Sequence, residues 1–244
     1  MKRARQIAVR AIKPFVRAHS GFVGSVVAVH TTVPKIVLTY DDGPEPGGTD
    51  SILKVLDERR LSATFFVLLS RARRYPGLLA EVAAAGHEIA LHGLDHQQLT
   101  GFTFRQVAQR TKDGRAELED LIGSRVEWIR PPYGRQTLAT WRAVQSAGLT
   151  PVMWGATSWD SREVSQTDRV HKAMTGASPG TILLSHDGHA GPEDGVDDGP
   201  SPSLDRGDLT ARILDACADG GLGAWALRES LEHGTALRAA WFKK

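Results

Sequence analysis

From residue 35 onward the chain alternates between two rhythms. Short apolar runs recur at residues 36–40, 63–67, 88–91, 128–130, 151–154, 181–185 and 222–227, and read as buried strands. Between them, residues 49–60, 76–85, 103–122, 136–147, 165–175 and 208–219 space their apolar side chains as helices do. Several of these stretches close on a glycine (Gly86, Gly123, Gly148, Gly220), where a chain leaves a helix easily. Strands alternating with helices predict parallel βα units and an α/β fold. Seven strands over ~200 residues suit a barrel of the (β/α) kind better than an open sheet.

Two segments break the rhythm. Residues 187–207 are rich in Gly, Pro, Ser and Asp and almost free of apolar residues. A loop of ~20 residues inside a compact domain is usually functional or disordered. This one follows a strand end, where barrel enzymes keep their active-site loops. It is read equally as a cap over a small substrate and as a solvated loop. At the other end, Ile7, Ala8, Ala11, Ile12, Phe15 and Val16 alternate with Arg10, Lys13 and Arg17, a short basic amphipathic stretch broken near Pro14. It is expected to dock on the domain or fray, with peripheral contact to an anionic membrane as the functional alternative. Its charges interrupt the apolar core that a cleaved export signal needs. The expectation is therefore a cytoplasmic protein, membrane-associated if the tail binds lipid, with export as the alternative.

Composition narrows the classes. The chain has 244 residues, 41% of them apolar and 24% charged, as in ordinary soluble globular proteins. Cys217 is the single cysteine, which excludes an internal disulfide framework and a cysteine-rich zinc module. The net charge of +2 conceals an asymmetry: residues 1–40 hold seven Lys/Arg and no acid, and the remainder is acidic by 28 to 23. Nucleic acid is not an expected partner, since a binder carries its positive charge on the folded face. No protein partner is evident.

The polar residues able to do chemistry gather where the strands end. Tyr40-Asp41-Asp42-Gly43-Pro44 places two carboxylates after the first strand. Two like charges held together call for a cation or a proton; alone, the pair is equally a solvated turn. His92 and His96 are spaced i, i+4 after the third strand, a separation that on a helical turn brings two imidazoles to one ion. Asp42, His92 and His96 together offer two nitrogens and one oxygen, the donor set of catalytic zinc, and suit iron, cobalt or nickel as well. Arg130, before Pro131-Pro132-Tyr133-Gly134, has the fork geometry to clamp a carboxylate such as Asp41. His186, in Leu184-Ser185-His186-Asp187, is a candidate general acid. Tyr40, Tyr133, Trp154 and Trp159 are candidates for stacking on sugar rings. His87 is read as structural and His189 as solvated.

These motifs, in this order, resemble those of the polysaccharide deacetylases, carbohydrate esterase family 4: Tyr40-Asp41-Asp42-Gly43-Pro44, His92-x-x-x-His96, Arg130-x-Pro132-Tyr133 and Leu184-x-His186. Ala63-Thr64-Phe65-Phe66 and Gly86-His87-Glu88-Ile89 are similar too. The resemblance covers residues 34–228, taken as the catalytic domain between a basic tail at 1–33 and a C-terminal helix at 229–244. It implies a distorted, incomplete (β/α)7, TIM-like barrel. It also implies one divalent metal ion, zinc first, that activates a water to remove an acetyl group from an N-acetylated amino sugar in a saccharide or glycoconjugate. By position, Asp42, His92 and His96 would bind the metal. Asp41 would be the base, Arg130 its orienting partner, and His186 the acid tuned by Asp160. The Tyr133 N–H would hold the oxyanion, and Leu184 and Trp159 would contact substrate. The chain departs from the family where Ser161 replaces a tryptophan, Thr157 an aspartate, Gly93 a hydroxyl residue and Leu91 an asparagine. These departures bear on substrate more than on catalysis. A non-sugar amide, an O-acetyl ester, or a non-catalytic saccharide-binding role are the alternatives.

Overall fold

The computed structural model describes residues 24–242; the basic stretch at residues 2–17 lies outside them. The strands are β1 Ser25–His30, β2 Lys35–Asp41, β3 Thr64–Leu68, β4 Glu88–Gly93, β5 Trp128–Ile129, β6 Thr150–Pro151, β7 Ala156–Thr157, β8 Ile182–His186, β9 Gly223–Trp225 and β10 Thr235–Ala239. The helices are α1 Thr49–Arg59, α2 Leu69–Arg74, α3 Pro76–Ala84, α4 Phe104–Ile122, α5 Leu138–Ser146, α6 Gln166–Met174, α7 Arg206–Asp219 and α8 Leu227–Glu232. All seven expected strands and six expected helices are present, with shifted ends.

Eight parallel strands, in the order β6-β5-β4-β3-β2-β8-β7 with β9 on β2, curl into a half-barrel ringed by helices. Strand β2 is the hub. Its residues 39–41 pair with β3, 37–41 with β8, and 35–37 with β9. The hub position explains the apolar run of Ile36, Val37 and Leu38, whose side chains fall on both faces, as in any parallel strand covered on both sides.

The two faces carry two cores. Ile36, Leu38, Tyr40, Phe65, Val67, Ile89, Leu91 and Leu183 pack outward against the helices. Val37, Phe66, Ala90, Val152 and Ile182 pack inward, where Val26 and Val29 of β1 join them. The helix ends follow local chemistry. Thr103 and Thr137 cap α4 and α5 with reciprocal capping boxes, and Gly123 leaves α4 at φ 65°.

The terminal segments differ from expectation. Residues 25–30 are not part of a tail: β1 lies across the opening of the half-barrel, bridging Val152 on one side and Thr181 on the other. Nor is 229–244 a helix. Helix α8 ends at Glu232, and Thr235–Ala239 forms β10, antiparallel to β1. The alternating residues of β10 find an edge to pair with only because β1 is already docked, a tertiary fact that local pattern does not carry. The expected strand at 151–154 is also short. It stops at Pro151, and Val152 turns to meet Val26. No described helix is long and apolar enough to cross a membrane.

Candidate active site

The two-residue period of the strands decides which side chains enter the bore. In β2, Val37 faces inward, so Thr39 and Asp41 do as well; in β4, Ala90 is followed by His92; in β8, Ile182 is followed by Leu184 and His186. Chemistry-bearing residues thus continue, at the C-terminal strand ends, the inner apolar stripe of the same strands. A cavity of about 420 Å³ opens there, lined by Asp41, Asp42, His92, His96, Tyr133, Leu184 and His186 among others.

Asp42 follows Asp41 directly and would point away in extended chain. Its φ of 77° lies in the left-handed region, which turns its carboxylate toward the same cleft. Aspartate tolerates this conformation better than most residues, and strain of this kind persists where the surroundings fix it. Next to it, a Cβ on Gly43 would meet the Asp187 carboxylate at 1.8 Å, so only glycine fits.

Asp42 Oδ1 lies 3.2 Å from His92 Nε2 and 3.4 Å from His96 Nε2. All three residues are buried. Yet Asp42 Oδ1 makes no hydrogen bond of proper geometry. Three donor atoms converge without satisfying one another, and a shared cation would satisfy them all; the set fits a divalent metal. Burial alone would raise the Asp42 pKa, but His96 and His92, with His186 beyond, hold it well below the usual carboxylate range. Burial also keeps His96 below its ordinary value despite Asp42 and Asp198, which preserves the neutral imidazole that metal binding requires. The i, i+4 spacing works here without a helix. His92 belongs to β4, and His96 to the bend that follows. That bend is tight: a Cβ on Gly93 would stand 2.5 Å from Asp95 O.

Arg130 is fully buried. It donates from Nη1 to Asp41 Oδ1 at 2.6 Å and to Thr39 Oγ1 at 2.9 Å, and its guanidinium lies 4.1 Å over the Phe66 ring. Two further bonds reach the Val152 and Met153 carbonyls. Asp41 is thereby held by a group that is itself held from four sides.

On the neighbouring strand β8, beside Asp41, His186 is gripped twice by Asp160. The Asp160 carboxylate accepts from the His186 backbone N–H at 2.6 Å and sits 2.8 Å from Nδ1. Burial opposes a charged imidazole, but Asp160, aided by Asp42 and Asp41, outweighs it and pushes the His186 pKa up to about 9. The same pairing pulls Asp160 down against its own burial. The raised value adds folded-state stability that is complete below the ordinary histidine pKa of about 6.5 and lost as pH rises through about 9. Replacing Asp160 by Asn removes the carboxylate, so the alkaline limb of a kcat–pH profile should move acidward by at least one unit. A limb that stays in place would detach it from His186.

Tyr133 sits at φ 59° in the turn Pro132–Gly134, and Gly134 follows at φ 61°. A Cβ on Gly134 would meet the Trp154 ring at 2.4 Å. Trp241, beyond β10, donates to Gly134 O at 3.0 Å and packs on Trp154. The segment after β10 therefore braces this turn.

Of the expected catalytic and metal residues, Asp41, Asp42, His92, His96, Tyr133 and His186 line this cleft, while Arg130 and Asp160 stand behind it, bonded to Asp41 and His186. Leu184 and Trp159 line it too, with Arg162 and Lys172 lying over the Trp159 ring at 4.6 and 4.9 Å. Tyr40 does not: the two-residue period sends it outward, where its hydroxyl meets Thr210. His189 is not simply solvated, for it lines the cavity and donates its backbone N–H to Glu45. Asp198 was not expected at all. It reaches His96 Nδ1 at 3.1 Å and accepts from the Tyr133 hydroxyl at 2.8 Å. The density of acids in residues 187–207 was its only trace in the sequence. At the opposite end of the barrel, a cavity of about 460 Å³ is lined by His87, Glu88 and Arg228, but Glu88 is already satisfied by Thr64, Trp128 and the Arg228 N–H.

The family model for polysaccharide deacetylases matches residues 28–152, which include the two aspartates, both histidines and Arg130. The chain belongs to the polysaccharide deacetylase family. It is 35% identical over 159 residues to a chitooligosaccharide deacetylase of Sinorhizobium fredii, a match covering 65% of this chain and 74% of that protein. It is 32% identical over 158 residues to the peptidoglycan-N-acetylglucosamine deacetylase PgdA of Listeria monocytogenes, covering 65% of this chain and 33% of that one. In fold, the deacetylase domain also superposes on wild-type BA3943, a CE4 family pseudoenzyme from Bacillus anthracis, with a TM-score of 0.74 at 16% identity, covering 86% of this chain and 69% of that one. Since one fold serves both enzymes and a pseudoenzyme, activity has to be argued from the residues of the cleft.

Proposed function

We propose that the chain is a zinc-dependent hydrolase that removes the acetyl group from an N-acetylated amino sugar in a saccharide or glycoconjugate. The carrying observation is the buried convergence of Asp42, His92 and His96 between a clamped carboxylate, Asp41, and a clamped imidazole, His186. Deacetylase relatives that act on chitooligosaccharide and peptidoglycan support the substrate class. The cavity falls within the roughly 300–1,000 Å³ of small-ligand sites.

An acetamide is a weak electrophile with a poor leaving group, so hydrolysis needs an activated water, a stabilised oxyanion and a proton for the nitrogen. Asp42, His92 and His96 would hold a divalent ion, which would supply Lewis acidity at the reacting centre. Asp41, aimed by Arg130, takes the proton of the attacking water. The Tyr133 N–H, set by the left-handed turn, donates to the oxygen that becomes negative. One such preorganised donor is worth roughly 3–4 kcal/mol. His186, aimed by Asp160, gives its proton to the departing nitrogen as the C–N bond breaks, leaving acetate and a free amine. Leu184 faces the acetyl methyl, and Trp159 the sugar.

Acetate release from N-acetylglucosamine oligomers, O-acetylated xylan fragments and small non-sugar acetamides would separate the readings. The expected result is release from the N-acetyl oligomers, abolished by chelator, restored by zinc and absent in Asp42→Ala. Release that survives chelation, or that occurs only with non-sugar amides or esters, would sink the proposal. Bound zinc without release from any compound would point to a binding protein.

A further inference from the structure

We infer that Asp198, carried by the loop at residues 187–207, is a positioning residue that fixes the tautomer and aim of the His96 imidazole and ties that ring to Tyr133. The inference rests on the metal-dependent reading above and concerns what holds the ligand in place.

An imidazole can offer a lone pair from one nitrogen only when the proton resides on the other. His96 turns Nε2 toward Asp42 and Nδ1 toward Asp198 Oδ2, 3.1 Å away. A carboxylate there can only accept, so the proton stays on Nδ1 and the Nε2 lone pair faces the donor cluster. Among the described residues His92 has no comparable partner. Its Nδ1 is buried without a hydrogen bond, and the Asp41 carboxylate stands 4.0 Å off. Of the two imidazoles, His96 alone is held by a carboxylate from behind.

The same carboxylate accepts from the Tyr133 hydroxyl with both oxygens at 2.8 Å. The Tyr133 and His96 rings are themselves in contact, with centroids 4.3 Å apart. Asp198 therefore spans a metal-ligating ring and a residue of the substrate cleft.

The loop that delivers Asp198 is anchored from within. Buried Arg71 donates to Asp194 through Nε at 3.0 Å and Nη2 at 2.9 Å, pairs with Glu45 at 3.1 Å and reaches His189 O. The His96 N–H donates to Asp194 O at 2.9 Å, so the loop and the His96 bend are stitched together shortly before Asp198 is reached. Ion pairs this well buried are costly to break, and they make the position of Asp198 a property of the fold.

The test is zinc affinity of the metal-free full chain, measured by competition with a chromophoric chelator. Wild type should bind one equivalent and Asp42→Ala none; failure of either overturns the metal reading itself. Given that binding, Asp198→Ala should weaken zinc about 10–100-fold, the usual effect of losing a carboxylate behind a ligating histidine. Asp198→Asn, which keeps the shape, should lie between. Tyr133→Phe, which spares the His96 contact, should stay within threefold of wild type. Metal-free unfolding midpoints of the Asp198 and Tyr133 variants should match wild type, and excess zinc should fill Asp198→Ala to one equivalent, which a collapsed site would not allow. If Asp198→Ala and Asp198→Asn bind zinc within twofold of wild type while Asp42→Ala does not bind, the inference is overturned.

Discussion

His186→Ala lowers turnover of an N-acetylated oligosaccharide by about 10²–10⁴-fold and leaves stoichiometric zinc binding intact. The size of the loss follows from the leaving group: an amine expelled without a proton is a strongly basic anion, and among the described residues lining the cavity His186 is the imidazole that Asp160 holds. The retained metal follows from geometry, because His186 lies outside the cluster of Asp42, His92 and His96. A paired substrate isolates the proton-donor role. An aryl acetate leaves as a stabilised phenolate and needs no acid, so its hydrolysis should fall far less in the same variant. Equal losses for amide and aryl ester would remove His186 from that role and assign it to binding. Undiminished amide turnover would remove it from catalysis altogether.

Arg130→Met should destabilise the fold by about 3–5 kcal/mol and also abolish activity. Methionine replaces much of the volume but none of the charge, so Asp41 is left buried and unpaired at 3% exposure. The Val152 and Met153 carbonyls lose a donor as well. The double variant Arg130→Met/Asp41→Leu removes both charges and should recover most of the stability, as replaced buried pairs often do, while remaining inactive. Denaturant midpoints with acetate assays check both halves. A single variant as stable as wild type would mean that water reaches Asp41 and that Arg130 is not its essential partner. A double variant that recovers activity would mean that Asp41 is not the base.

The sequence carried the strand–helix alternation, because parallel strands covered on both faces must be apolar throughout and their crossover helices amphipathic. It also carried the clustering of Asp42, His92, His96, Arg130 and His186, since each lies at or just beyond a strand end, and in a parallel sheet every such end lies on one rim. The inward or outward sense of each residue was present in the two-residue period. Reading it needed the position of one neighbour, which is why Tyr40 looked like a cleft aromatic and proved to be core. The i, i+4 histidines were correctly paired, although the backbone between them is a strand end and a bend rather than a helix.

Tertiary structure alone decided the rest. Asp198 reaches His96 across 102 positions of chain, and Trp241 reaches Gly134 across 107. The β1–β10 pair exists because each strand supplies the other's missing edge. Local pattern records what a residue needs, whether burial, a cap or a turn. It does not record which distant residue supplies it, because that choice is made by packing, when the strands and helices close around their two cores.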